Sequence, residues 1–216
     1  MAALPRIAVL ASGRGSNLQA ILDAIVGGRL DAEVVGVFGD RPDAVALTRV
    51  APELAWARDA RSYPDRAAFD ADIADAVAAA RPDWIVLAGY MRIVGDAFLS
   101  RFRGRVLNIH PSLLPSHRGL RTHARAIAAG DVEHGASVHF VVPELDAGAV
   151  IAQARVPVLP GDTADSLAAR VLGIEHPLLV GVLRLAVAGR IAERDETVEL
   201  DGHALFTPLA LGSTLD

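Results

Sequence analysis

The chain has 216 residues, 52 % of them hydrophobic, with a formal net charge of −5 and no cysteine. That length suits one ordinary domain with a sizeable core. The acidic balance argues against a nucleic-acid binder, the missing cysteines exclude disulfides and thiolate metal sites, and the absence of lysine excludes Schiff-base and Walker A chemistry.

Residues 6–11 form an apolar, β-branched run, and 16–26 then place Leu18, Ile21, Leu22 and Ile25 at helical spacing. A second strand is predicted over 33–38, a short helix over 43–50 and a weak third strand over 54–57. Next come an alanine-rich helix over 65–80, a buried strand over 84–88 and a short helix over 96–102, leading into the strand that carries Asn108. Strands alternating with helices imply parallel pairing and a doubly wound sheet. The second half changes character: 136–142 and 150–158 are strands joined by a loop holding Asp146 and Gly148, too short for a crossover helix, so they should be antiparallel. A long helix is predicted over 163–187, interrupted or kinked near Pro177, and a final strand over 190–200. The expected class is α/β, a mostly parallel, doubly wound sheet with an antiparallel C-terminal extension. One domain is expected, 1–105 its mononucleotide-binding half and 106–216 its catalytic, sheet-completing half. No uninterrupted apolar run approaches the roughly 18 residues that span a bilayer, and Gly13 and Arg14 cut the first run too early for a signal peptide. The cytoplasm is the expected location, with small-molecule substrates and neither a nucleic-acid nor a membrane partner; the oligomeric state stays open, a homodimer included.

Two stretches invite chemistry. In 106–115, VLNIHPSLLP, Asn108 and His110 project to the same side of a strand that Pro111 ends. An amide and an imidazole at the C-terminal end of a strand lie where open α/β sheets bind ligands; on that geometry alone, a pair that merely satisfies a turn is equally open. In 12–17, SGRGSN, Gly13 and Gly15 permit a tight turn, and Ser16 and Asn17 are good N-cap types. The N–H groups at such a helix start form a natural phosphate site. A dinucleotide fingerprint fits poorly, since Leu18 stands where its third small residue belongs and Asp40 is only a loose candidate for its acid. The seven histidines lack metal-ligand spacing, so no metal is expected.

SGRGSN, LAGYMRIV (87–94), NIHPSLLP (108–115), HGASVHFV (134–141) and ELDAGAVI (144–151) occur in that order. Together they resemble the phosphoribosylglycinamide formyltransferases of purine biosynthesis, within the wider folate-dependent formyltransferase family, over nearly the whole chain from Arg6 to about His176. The resemblance implies formyl transfer from the co-substrate 10-formyltetrahydrofolate to the primary amine of phosphoribosylglycinamide, with Asn108, His110 and Asp146 catalytic. Asn108 would donate to the oxyanion, His110 would carry the proton, and Asp146 would raise the His110 pKa. It further implies that Gly15, Ser16, Asn17 and Glu175 bind the amine substrate. Arg66, Met91, Arg92, Ile93 and Val94, with Asn108, would face the folate. A cis peptide is expected at Leu114–Pro115. The chain departs from the family pattern at Leu172 and in the placement of Pro177. Two other readings stay open: a hydrolase releasing formate from the same folate, and a nucleotide-binding module without chemistry.

Overall fold

The computed structural model describes residues 3–212, and the chain divides into two compact units after Asn108. The first holds β1 (Arg6–Leu10), α1 (Ser16–Val26), β2 (Glu33–Gly39), β3 (Ala55–Ala57), α2 (Arg66–Ala79), β4 (Trp84–Leu87) and α3 (Asp96–Arg101). Strand β5 (Val106–His110) starts there and ends in the second unit. The first unit's strands lie in the order β3-β2-β1-β4-β5, every pairing parallel, with Leu87 opposite Asn108. Ile7, Ala8, Val9 and Leu10 are all fully buried, which is why β1 reads as a continuous apolar run rather than an alternating one. In α2 the Asp65 carboxylate accepts from the Ala68 N–H as N-cap, and Phe69, Ile73 and Val77 bury one stripe. The helix expected over 43–50 is instead a 3-10 turn, Val45–Arg49. Its Ala46 N–H is taken by the Gly13 carbonyl at 2.9 Å, so that donor is drawn out of any helical ladder.

The second unit holds α4 (Thr122–Ala129), β6 (Glu133–Phe140), β7 (Val150–Pro157), α5 (Ala164–Val187), β8 (Ile191–Arg194), β9 (Thr197–Leu200), β10 (His203–Ala204) and β11 (Leu209–Ala210). As expected, β6 and β7 are antiparallel; β11 adds to β7 in parallel, and β8, β9 and β10 make a small antiparallel sheet. The mostly parallel sheet with antiparallel additions is the fold class the sequence implies.

Three differences from the sequence reading have local causes. The strand expected over 190–200 is a hairpin, because Asp195 and Glu196 adopt φ of 48° and 62°, the pair of left-handed residues that a two-residue turn requires. Helix α4 had no counterpart in the sequence reading. Helix α5 runs unbroken for 24 residues through Pro177. The carbonyl that a proline ring opposes belongs to the residue four before it, here the exposed Gly173, which has no side chain to crowd the turn. By length and composition alone α5 is long and apolar enough to cross a membrane. Yet Leu167, Val171, Leu178, Leu179, Val182 and Leu183 are fully buried and β6 and β7 pack against it, the pattern of a core helix.

Candidate active site

In the first unit the strand order reverses between β1 and β4, the position where open α/β sheets hold ligands. The loops leaving those two strands are tied together. The Ser12 N–H donates to the Gly89 carbonyl at 3.2 Å, and the buried Ser12 Oγ accepts from the Met91 N–H at 2.9 Å. After Ser12 the chain turns through Gly15, whose φ of 72° and ψ of 34° make it the N-cap of α1. This corrects the capping roles expected of Ser16 and Asn17: both lie inside the first turn, and no side chain caps the helix. A helix start without a side-chain cap is where backbone N–H groups and the helix dipole can receive an anion.

Beyond β4, Met91 and Ile93 are 65 % and 47 % exposed while Val94 is buried. The Arg92 guanidinium lies 5.1 Å from the centre of the Phe69 ring, and its buried Nε has no partner among the described residues. Exposed apolar side chains thus stand beside an arginine packed on an aromatic ring. Arg66 projects from the start of α2, half exposed, its Nε 3.2 Å from Asp70 Oδ2.

In the second unit β5 delivers His110, which is buried. Its Nε2 donates to the His117 carbonyl at 3.1 Å, and its Nδ1 lies 3.4 Å from Asp146 Oδ2. Asp146 sits in the left-handed region, φ 48°, on the loop between β6 and β7. Its Oδ2 accepts from the Gly119 N–H at 2.8 Å, and its Oδ1 lies 3.7 Å from His139 Nε2. His139, fixed by a 2.7 Å hydrogen bond from Nδ1 to the Phe140 carbonyl, is a partner of Asp146 that the sequence reading does not name. The β6–β7 register shifts between Val138 and His139, a tertiary feature that no local sequence pattern reports.

Burial opposes the charged form of Asp146, yet the His139 interaction, the Gly119 N–H and the His110 charge together hold its carboxyl below the usual range. His110 shows the reverse balance. Desolvation outweighs the nearby carboxylate and the His117 carbonyl, so its pKa is lowered. That corrects the expectation that Asp146 would leave it raised: Asp146 pushes upward, and burial pushes down harder.

The turn after His110 is clamped by β6 and β7. Ser137 Oγ accepts from the Leu114 N–H at 3.0 Å and donates to the Ser112 carbonyl at 2.7 Å, and Gln153 Nε2 donates to the Leu114 carbonyl at 2.8 Å. The Leu114–Pro115 peptide is cis, as expected. Glu175 lies on the buried side of α5 with Val171, Leu178 and Leu179. Among the described residues no group of three or more His, Cys, Asp or Glu side chains is arranged to hold a metal ion. His117 and His123 turn elsewhere, to Asp131 at 2.6 Å and to His134 at 3.1 Å.

A family model described as formyl transferase matches residues 5–183. The chain belongs to the formyl transferase family. This formyl transferase is 45 % identical over 201 residues to phosphoribosylglycinamide formyltransferase from Escherichia coli (strain K12), covering 92 % of its own length and 95 % of that protein. It is similar in structure to the phosphoribosylglycinamide formyltransferase of Coxiella burnetii, with a TM-score of 0.91 at 43 % identity, over 96 % of this chain and 99 % of that one. A formyltetrahydrofolate deformylase from Pseudomonas syringae pv. tomato matches with a TM-score of 0.83 at 26 % identity, over 92 % of this formyl transferase but 66 % of the deformylase.

Proposed function

We propose that this chain transfers a formyl group from 10-formyltetrahydrofolate to the primary amine of 5′-phosphoribosylglycinamide, as a step of purine biosynthesis. The observation that carries the mechanism is the Asp146 carboxylate set between His110 and His139 at the end of the strand bearing Asn108. The near full-length likeness to phosphoribosylglycinamide formyltransferases supports the substrates.

In this reading the amine lone pair attacks the formyl carbon, a C–N bond forms and the carbonyl oxygen becomes an oxyanion. The Asn108 amide donates to that oxyanion. His110, neutral near pH 7 because burial lowers its pKa, takes the proton the amine releases, and Asp146 stabilises the resulting imidazolium. Collapse breaks the bond to N10, which leaves with the proton His110 returns. Gly15, Ser16 and Asn17 take the 5′-phosphate and Glu175 contacts the amine substrate, while Arg66 and residues 91–94 take the folate. Both substrates are small molecules, and we assign the enzyme to the cytoplasm, with neither a nucleic-acid nor a membrane partner.

The test is an assay of folate deformylation with and without the amine. Turnover should require the amine and yield formylated product; comparable formate release without it would establish the hydrolase reading instead. His110→Ala and Asn108→Ala should each lower kcat by about 100-fold or more, the scale of losing a proton carrier or an oxyanion donor, while KM moves much less. Near-normal turnover by both would refute the assignment.

A further inference from the structure

The loop assigned to the phosphate does not hold its own shape. Its two leading carbonyls are gripped from outside, by the short 3-10 turn Val45–Arg49. The Ala46 N–H donates to the Gly13 carbonyl at 2.9 Å, and Arg49 Nε donates to the Arg14 carbonyl at 2.8 Å. Arg49 Nη1 also reaches Gln19 Oε1 at 2.8 Å, on the second turn of α1. One half-buried guanidinium thus bridges the loop and the helix that the loop starts. In a trans peptide the C=O and the following N–H point in opposite directions. Pinning the Gly13 and Arg14 carbonyls toward 45–49 therefore turns the N–H groups of Arg14 and Gly15 the other way. There they join the uncapped N–H groups at the start of α1.

We propose that Arg49 is a positioning residue for phosphate recognition: it never touches the phosphate, but fixes the loop carbonyls so that the N–H groups face it. This rests on the reading of 13–17 as the phosphate loop. Both Arg49 acceptors are neutral oxygens, so the role is geometric, with two donors of fixed spacing on two segments. A lysine carries its three donors on one nitrogen and lacks that fixed spacing. Gln19 gains a second duty as well, since its amide nitrogen holds Asp23 at 2.8 Å while its oxygen receives Arg49.

The test compares phosphoribosylglycinamide with its dephosphorylated nucleoside in the full chain. Arg49→Met should raise KM for the phosphorylated amine about tenfold, the scale of a lost hydrogen bond from a charged donor. The kcat, the folate KM and the kinetics on the nucleoside should stay within about twofold of the starting enzyme. Arg49→Lys should recover only part of the loss, and the increment should persist at high salt, because a fixed geometry is not screened. Full recovery by Arg49→Lys, or an increment that vanishes with salt, would mean that the charge acts directly on the phosphate and would overturn the proposal. So would equal losses on both amines together with a lowered Tm in Arg49→Met and Arg49→Gln, which would mark a folding role. Gly15→Ala serves as the reference for the loop itself. If it discriminates against the phosphorylated amine and the Arg49 variants do not, the positioning role fails and the loop reading stands. If it does not discriminate either, the loop reading fails and the inference falls with it.

Discussion

Replacing Gly15 with valine perturbs the phosphate loop at the place where glycine is required twice over. Its φ of 72° is costly for any L side chain, and a Cβ built there lies 2.7 Å from the Ala46 Cβ and 2.8 Å from the Ala46 Cα. The left-handed conformation alone costs roughly 1–2 kcal/mol per residue, and a β-branched side chain sits at the upper end. The contact with Ala46 involves backbone, so the loop or the 3-10 turn must shift, and the loop N–H groups shift with it. An added cost of about 1 kcal/mol is a modest allowance for that displacement, on the scale of mild overpacking. Because a relaxed loop must be driven back to this geometry to grip the phosphate, these costs reappear in binding and predict a loss of affinity for phosphoribosylglycinamide of about 30- to 100-fold or more, taking 1.4 kcal/mol per decade. Isothermal titration with each ligand alone reads the effect: the amine should weaken while a folate analogue binds nearly as before. Circular dichroism beside the titration checks that the fold is intact. A variant that keeps the phosphorylated amine and loses the folate would refute the reasoning by reversing the two half-sites. Unchanged amine affinity would refute it outright.

Asp146→Asn should move the acidic limb of the kcat–pH profile to lower pH as well as lowering the plateau. Burial lowers the His110 pKa and the carboxylate raises it, so removing the carboxylate leaves only the His117 carbonyl to oppose desolvation, and an unmoved limb would mean that Asp146 does not tune the imidazole. Ser12→Ala removes the acceptor for the Met91 N–H and should raise the folate KM by about 2- to 10-fold, the range of one net hydrogen bond; steady-state kinetics at saturating amine measures it. Acid should destabilise the fold through His134, whose pKa burial lowers to about 4. Its depressed value means that the unfolded chain takes the proton first, so this contribution is complete above about pH 6.5 and is lost as pH falls toward 4. Thermal melts across that window should show a smaller drop in His134→Gln than in the parent.

What was legible in the sequence were the elements whose own pattern suffices. Leu18 and Ile21 betray α1, the apolar run 6–10 betrays β1, and Pro111 marks the end of β5. Helix α4 escaped because Thr122–Ala129 buries little beyond Thr122 and Ala126, and it opens on Arg121 in a left-handed conformation rather than on a capping side chain. The hairpin at Asp195 and Glu196 escaped because, although Asp195 tolerates the left-handed region, Glu196 stands where a glycine or asparagine would mark such a turn. At the site, the pairing of His110 with Asp146 followed from the family resemblance. The direction of the His110 shift depends on burial, which no local pattern reports, and His139 joins Asp146 only once β6 and its following loop are folded.

The Ser12 hydroxyl holds the backbone of Met91, 79 residues further along the chain. Neither loop is then free to change length by itself, since an insertion before Met91 or a deletion beside Ser12 separates donor from acceptor. Loop exchange between relatives would succeed only when the segments after β1 and β4 are transplanted together, as a matched pair. Drift in one of them is constrained by the other, although they are distant in the gene.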